Sequence, residues 1–380
     1  MSGCVSKCMK LHNKDLKKVL LSKPEWKSAS VLDGSAIFPK AFGIDSIHAS
    51  AYKTEILDCS TLRTIGGFSS GTFKDYRSAR LVNDFGPRAP VLYSIVYTTA
   101  GYSLGNIARE YNELNSLSRN ERIIPVSVID EGLNPRIKEV LRACSEIVEL
   151  PLSERIISRE EVLDAVKAKI GSKSREYVAA ENYDFAYSEM ARQIHFPDHA
   201  DSDFNKLPNA IFVPLGGGEA LNSILEYHIR EYPNDFNNFS KRKFSNFTDA
   251  YVELMYRWPS IFAATIRANV FAGKTSPGDC SIAEKLVTPH SELLQKINSV
   301  SVIDPLIFPK KGAVQIIVVE EDEIMPAYKA LQKAGIKAEP SAAVAFAALN
   351  HAILSDGVKV CIVNSGSGIY VDESGKLRGV

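Results

Sequence analysis

Short apolar segments recur along the chain, and helical patterns separate them; this alternation constrains the fold more than any other feature. The strand-like segments lie at 91–99, 123–130, 146–151, 210–216, 260–268, 314–321 and 359–366. The helical patterns lie at 104–115, 135–144, 159–170, 219–229, 323–335 and 341–354. Strands that are apolar on both faces need helices on both sides of a parallel sheet. The pattern therefore predicts an α/β fold, and we interpret the polar stretch at 172–205 as a loop or insertion.

Charge and composition narrow the class of partner. The chain has 380 residues, of which 45% are hydrophobic, and its 45 basic residues balance 45 acidic ones. A neutral chain has no strong field for nucleic acid or an anionic membrane, so we expect a small-molecule partner. We find no signal-peptide pattern and no apolar run near the ~20 residues of a membrane span. Six scattered cysteines favour a reduced, cytoplasmic protein.

Two segments raise the question of a metal site, and we predict none. Cys4 and Cys8 form a single C-x-x-x-C pair, whereas zinc sites usually have two ligand pairs. The segment at 195–203 contains two histidines and three aspartates, but Pro197 breaks the helical spacing that would place His195 and His199 on one face. We interpret this segment as a solvated loop.

A glycine-rich segment follows one predicted strand and precedes a predicted helix. It reads VPLGGGEALNSI at 213–224. Glycines allow backbone N–H groups to approach a phosphate, and the helix N-terminus adds the positive end of its dipole. A tight strand-to-helix turn explains the glycines equally well. The segment is not the dinucleotide fingerprint, because the required third glycine is Leu221.

Three other segments place polar groups near predicted strand or helix ends. Lys74 follows a glycine- and serine-rich stretch, in GTFKDY. The segment YSLGN at 102–106 follows a strand and opens a helix, where Ser103 could equally be an ordinary N-cap. EPSAA at 339–343 precedes NSGSG at 364–368, which carries a hydroxyl at the end of a strand. Each segment alone has a plain structural explanation.

Together and in this order, the four segments resemble those of the fold-type II pyridoxal-phosphate enzymes, the tryptophan synthase β superfamily. The layout is nearest to threonine synthase, because ENYDFAYSEMARQI at 181–194 is similar to a helix of that enzyme at the same place. The resemblance implies that pyridoxal 5'-phosphate is the cofactor and that Lys74 is the Schiff-base lysine and general base. The implied cofactor contacts are Lys74, Asn106, Gly216, Gly217, Gly218, Glu219, Ala220 and Ser365. The implied substrate contacts are Thr72, Ser103, Leu104 and Gly105.

The resemblance also implies the domain organisation. We expect two three-layer α/β domains with mostly parallel sheets and the cofactor in the cleft between them. Residues 1–86 and 206–380 would form the larger, cofactor-binding domain. Residues 87–205 would form the smaller domain, which carries the asparagine loop, YSLGN at 102–106 with Asn106. By analogy we expect a homodimer.

The implied activity is that of a lyase or synthase acting on an amino acid with a leaving group at Cβ or Cγ. In the threonine-synthase version, O-phosphohomoserine and water give threonine and phosphate. The alternatives are a serine/threonine dehydratase, a β-replacement enzyme of the cysteine-synthase type, or a binding protein without turnover. Two departures from the family pattern bear on this choice. Tyr76 stands where the family usually has an arginine after Lys-Asp, and Glu219 lies in the glycine-rich segment that would bind the phosphate. The basic candidates for a second phosphate are Arg77, Arg80, Arg267 and Lys274.

Overall fold

The computed structural model describes most of the predicted elements. The described residues are 16–28, 53–96, 98–155, 157–195, 208–231, 260–266, 281, 283, 286, 314–352, 354, 358–371 and 375–379. They divide into two compact units. The first unit comprises the described residues of Met1–Lys23, Thr61–Ala186 and Gly368–Val380. The second unit comprises those of Pro24–Ser60 and Tyr187–Ser367.

The strands and helices of the described residues are as follows. The strands are β1 Glu25–Ser28, β2 Lys53–Asp58, β3 Val91–Ile95, β4 Ile124–Asp130, β5 Glu146–Leu150, β6 Tyr177–Ala179, β7 Ala210–Pro214, β8 Ser260–Ile266, β9 Val314–Val319, β10 Lys359–Asn364, β11 Tyr370–Val371 and β12 Leu377–Arg378. The α-helices are α1 Lys74–Phe85, α2 Thr99–Leu114, α3 Pro135–Arg142, α4 Arg159–Ile170, α5 Ser188–His195, α6 Glu219–Glu231, α7 Glu321–Lys333 and α8 Pro340–Ala347. Short 3₁₀ segments occupy Cys59–Thr61, Gly86–Arg88, Ala180–Tyr187 and Ala348–His351.

The first unit contains a four-stranded sheet in the order β5-β4-β3-β6, and all of its strand pairs are parallel. Helices α1 and α2 pack together through apolar residues that include Leu81 and Ile107, both fully buried. Helix α4 begins at a capping box in which the Ser158 hydroxyl accepts from Glu161 N and the Glu161 carboxylate accepts from Ser158 N. The short pair β11 and β12 is antiparallel.

The second unit contains a six-stranded sheet in the order β1-β2-β10-β7-β8-β9. All of its pairs are parallel except β1 with β2. Helix α8 is buried along its whole length, which its sequence PSAAVAFA explains because no residue carries a charge. Small alanines let this helix lie close to the sheet, where Phe212 and Phe262 stack with ring centroids 4.6 Å apart.

The predicted α/β class with mostly parallel sheets is confirmed, because seven strands lie within the seven predicted apolar segments. Two local predictions are wrong. Residues 102–106 lie inside α2 and do not open it. The stretch 177–195 is a strand, a 3₁₀ segment and a helix, so the loop or insertion expected for 172–205 is wrong there, whereas the helix that the resemblance implies at 181–194 is found in part, at Ser188–His195. The units also differ from the predicted domain boundaries, because the described residues of 61–86 lie in the same unit as those of 87–186.

Among the described residues, no helix has the combined length and apolarity that crossing a bilayer requires.

Candidate functional site

Lys74 is the first residue of α1, and a turn fixed by hydroxyl groups leads into it. The Ser70 and Thr72 hydroxyl oxygens lie 3.1 Å apart, and Lys74 N donates to Thr72 Oγ1 at 3.3 Å. Gly71 has φ +72°, a left-handed conformation that favours glycine. The Lys74 ammonium group lies 4.5 Å from the centroid of the Phe73 ring. The predicted lysine therefore sits in a defined turn, and Thr72 is one of the residues that shape it.

Asp75 is the next residue and is fully buried. Its Oδ2 accepts a hydrogen bond from Ser70 N at 3.0 Å, and its Oδ1 accepts one from the Ser103 hydroxyl at 2.6 Å. Burial raises the pKa of this carboxyl group to about 6, against the opposing effect of the two serine hydrogen bonds. Ser103 Oγ also lies 2.8 Å from Ser78 Oγ. One carboxylate thus joins the turn before Lys74 to both α1 and α2.

The predicted asparagine loop is part of the interior of α2, because β3 ends at Ile95 and the helix begins at Thr99. Asn106 Nδ2 donates to Tyr102 O at 2.9 Å, and its Oδ1 accepts from Arg109. Leu104 is buried in the core of the first unit. The amide of Asn106 is therefore engaged within its own helix, and Ser103 is not the N-cap.

Gly105 has a packing role in this helix. A Cβ at Gly105 would lie 2.7 Å from both the carbonyl oxygen and the sulfur of Cys144. Such a distance is shorter than real Cβ contacts, so the glycine lets α2 approach the backbone at Cys144. The predicted substrate contacts Ser103, Leu104 and Gly105 thus all make packing or hydrogen-bond contacts inside the first unit.

The N-cap and first turn of α2 are formed by residues 98–101, TTAG, which the sequence analysis does not single out. Thr98 precedes the helix without a side-chain capping bond, and Thr99 Oγ1 accepts from Ile369 N at 3.1 Å. The signal available in the sequence was two threonines followed by two small residues. Ser103, Gly105 and Asn106 compete with this signal in the sequence, because their residue types are also common at helix starts.

The glycine-rich loop of the second unit runs from the end of β7 to the start of α6. Leu215 N donates to Ala264 O at 2.7 Å, and Leu215 O accepts from the Thr265 hydroxyl at 3.0 Å, so the loop begins at a fixed point. Gly218 has φ +90°, which explains a glycine at that position. Ala220 is buried in the first turn of α6. Gly216, Gly217 and Gly218 therefore lie in a strand-to-helix loop, as the sequence predicts, and Ala220 lies in the helix that follows it.

Glu219 folds back towards this loop. A Cβ built on Gly217 would lie 3.2 Å and 3.3 Å from the two carboxylate oxygens of Glu219. The carboxylate is at the first position of α6, where the helix dipole stabilises negative charge. An anionic group therefore already lies close to Gly217 in the segment predicted to bind phosphate.

Ser365 follows β10, which pairs in parallel with β7 in the register Ile362 with Phe212. Neighbouring parallel strands end at the same edge of a sheet, so Ser365 and the glycine-rich loop emerge there side by side. Asn364 fixes the turn: its Nδ2 donates to Asp58 Oδ1 at 2.8 Å and to Lys337 O at 2.9 Å, and its Oδ1 accepts from Gly366 N at 3.2 Å. This edge brings together Gly216, Gly217, Gly218, Glu219, Ala220 and Ser365.

The basic candidates for a second phosphate have other contacts where the structure describes them. Arg77 Nη1 donates to Asp184 Oδ1 at 2.7 Å, and its Nη2 lies 3.3 Å from Ser94 Oγ. Arg80 pairs with Asp84 at 2.8 Å on an exposed face of α1. Arg267 and Lys274 lie outside the described residues.

The two segments that raise the question of a metal site lie almost entirely outside the described residues. Cys4, Cys8 and residues 196–203 lie outside the described part of the chain. Within the described part, no three histidine, cysteine, aspartate or glutamate residues form a group that could hold a metal ion.

Sequence comparisons give no relative: no family model matches, and no curated protein matches. Solved structures do match along nearly the whole chain. A pyridoxal 5'-phosphate-dependent aspartate racemase aligns with a TM-score of 0.59 and 12% identity, over 93% of this chain and 92% of the racemase. The chain has the fold of the fold-type II pyridoxal-phosphate enzymes.

Two further neighbours have the same fold. Maize serine racemase aligns with a TM-score of 0.58 and 16% identity, over 93% of this chain and 90% of its own. O-ureido-L-serine synthase aligns with a TM-score of 0.54 and 14% identity, over 93% and 90%. The predicted superfamily fold is thus confirmed. At these identities the likeness concerns the fold, and the activities differ among the neighbours.

Proposed function

We propose that this chain is a pyridoxal 5'-phosphate-dependent enzyme acting on an amino acid with a leaving group at Cβ or Cγ. The observation that carries the proposal is the shared sheet edge of the second unit, where Ser365 and the loop Gly216–Gly218 end adjacent parallel strands. In a fold-type II arrangement these two segments take the pyridine nitrogen and the phosphate. Lys74, at the start of a helix in the first unit, supplies the amine.

The glycine-rich loop fits a phosphate in two respects. Backbone N–H groups at the N-terminus of a helix point outward along its axis, so those at the start of α6 carry the positive end of its dipole. Glu219 already brings a carboxylate close to Gly217, which is consistent with a position that accepts negative charge. A bound phosphate would require this carboxylate to turn away, because two anions a few ångströms apart repel each other.

Lys74, Ser365 and the bound cofactor would have separate roles in the proposed reaction. The Lys74 amine would hold the cofactor through its aldehyde carbon, and as a free amine it would accept the proton from the substrate Cα. The Ser365 hydroxyl is a neutral partner for the ring nitrogen, which suits elimination and replacement better than transamination. The bound cofactor supplies an electron sink for the pair left at Cα.

Two substrate classes remain as versions of this proposal. The order of the sequence motifs favours the threonine-synthase version, in which O-phosphohomoserine loses phosphate and water adds at Cβ. The contacts of Arg77 favour serine, threonine or O-acetylserine as substrates, because a guanidinium group paired with Asp184 is less available to a second phosphate. The serine-named neighbours support that second version as well.

The test is a spectral and kinetic screen of the purified protein. We expect the protein to bind pyridoxal phosphate with a visible absorption band that Lys74→Ala abolishes. Borohydride reduction should attach the cofactor to the peptide that contains Lys74. The loaded protein is then mixed with O-phosphohomoserine, serine, threonine and O-acetylserine, with release of phosphate, ammonia or acetate as the readout. A protein that binds no cofactor refutes the proposal, and one that binds it without any turnover supports the non-catalytic alternative.

A further inference from the structure

Asp75 is a charged side chain that the proposed chemistry does not use, and the chain buries it completely beside the reactive lysine. Removing a carboxylate from water is costly unless hydrogen bonds replace the lost hydration. Here the replacements are Ser70 N and the Ser103 hydroxyl, at 3.0 Å and 2.6 Å. The buried charge therefore depends on this particular arrangement of the turn and of α2.

The contacts of Asp75 reach the backbone of Lys74 through the turn. Asp75 holds Ser70 N, the Ser70 hydroxyl contacts the Thr72 hydroxyl at 3.1 Å, and Thr72 Oγ1 accepts from Lys74 N. The contact with Ser103, which lies 28 residues further along the chain than Asp75, extends the same network to α2. The turn before the lysine is thus held from both helices.

The side chains of Asp75 and Lys74 do not face each other, because successive residues of a helix point in different directions. Its carboxylate points instead towards Ser70 and Ser103. Any influence of Asp75 on the lysine must therefore pass through the backbone of the turn and of the first turn of α1.

We propose that Asp75 is a positioning residue that holds Lys74 in the orientation needed for attack on the cofactor aldehyde, with Ser103 as its partner on α2. This inference rests on the proposed function, since it concerns the same lysine. The titratable groups near the carboxyl include Arg63, which favours its ionised form, and Tyr102, whose pKa is raised chiefly by burial and to a smaller extent by the Asp75 carboxylate. Above about pH 6 the ionised carboxylate accepts both hydrogen bonds, and below that pH a protonated oxygen can no longer accept in the same way.

The experiment measures how fast Lys74 condenses with pyridoxal phosphate in the full-length protein without cofactor, from pH 5 to pH 8, by absorbance and by borohydride trapping with mass spectrometry. The variant is Asp75→Asn, and the matched control is Asp84→Asn, which removes a partly exposed carboxylate from the same helix. We expect Asp75→Asn to slow condensation about tenfold at neutral pH, the equivalent of one lost hydrogen bond to a charged group. The control should condense at the wild-type rate.

The pH profile separates positioning from a general loss of stability. The ratio of the wild-type rate to the Asp75→Asn rate should rise through about pH 6 and level off above it. Ser103→Ala retains the carboxylate but removes one donor, so it should raise the pKa of Asp75 and move this inflection to higher pH. It also provides the test if Asp75→Asn fails to fold.

The possible failures are distinct. A wild-type protein that never traps the cofactor on Lys74 overturns the proposed function and this inference with it. A wild-type protein that traps it normally, while Asp75→Asn or Ser103→Ala shows the same rate and the same pH profile, overturns the positioning role alone.

Discussion

Replacing Gly105 with alanine tests whether this glycine packs helices or faces a ligand. The new Cβ would lie 2.7 Å from the Cys144 carbonyl oxygen, whereas ordinary contact begins at 3.4 Å, so the two groups must separate by about 0.7 Å. The atom is part of the backbone and cannot rotate away. Overpacking of this kind costs about 1–3 kcal/mol, and the rigid neighbour places Gly105→Ala near the upper end.

Helix propensity acts in the opposite direction. Alanine is about 1 kcal/mol more favourable than glycine inside a helix. The net expectation is that Gly105→Ala lowers the free energy of unfolding by about 2 kcal/mol, because the steric cost exceeds the gain in propensity. For a unit of this size that corresponds to a fall in melting temperature of about 4–8 °C.

The assay is thermal and urea unfolding of the protein without cofactor, followed by circular dichroism, alongside a cofactor titration. Gly217→Ala is the control substitution for stability, because the atoms nearest to its Cβ would be those of the Glu219 carboxylate, at 3.2 Å or more. That side chain can move, so the control should keep its stability within about 0.5 kcal/mol. A Gly105→Ala protein with wild-type stability and weakened binding of cofactor or substrate would refute the packing argument and restore the ligand-facing role.

Three further predictions follow from individual side chains. Arg77→Ala removes the donor of a largely buried ion pair with Asp184 and should lower the free energy of unfolding by about 1.5–3 kcal/mol. Urea unfolding measures this value, and an unchanged free energy would contradict the pairing. Because the pKa of Asp75 is raised from 3.8 to about 6, the wild-type protein should lose about 3 kcal/mol of stability as the pH rises from about 3 to about 7, and Asp75→Asn should lack this loss; parallel pH profiles would contradict it. Glu219→Gln removes a negative charge beside the proposed phosphate loop and should tighten pyridoxal phosphate binding. Fluorescence titration measures the affinity, and tighter binding by the wild-type protein would argue against a phosphate in this loop.

The sequence was sufficient for most elements of the sheets. Segments such as 210–216 and 359–366 contain short apolar runs that end in glycine or asparagine, and short length together with β-branched residues favours a strand covered on both sides. The order of the strands was not predictable in the same way. Strand β10 lies between β2 and β7, and this arrangement of strands far apart in sequence places Ser365 beside the glycine-rich loop.

The misplaced asparagine loop has a physical explanation. Helix α2 begins at Thr99 without a side-chain cap, so no strong local signal marks its start. Ser103 and Gly105 resemble the residues that begin helices, yet the contacts that explain them come from distant parts of the sequence. Ser103 donates to a carboxylate 28 residues earlier, and Gly105 makes room for the carbonyl oxygen of Cys144. Contacts of this kind arise when two helices pack, and a single sequence does not display them.

The choice between substrates depends on positive charge. A phosphate leaving group brings two negative charges, which a buried site must balance with a cation. Arg77 is paired with Asp184 and Arg80 with Asp84, so two of the four candidates already have acidic partners. A preference for O-phosphohomoserine over O-acetylserine would then have to depend on Arg267 or Lys274. If Arg267→Ala and Lys274→Ala leave the ratio of the two kcat/KM values unchanged, a second phosphate is not bound by these residues, and substrates with uncharged leaving groups become the better assignment.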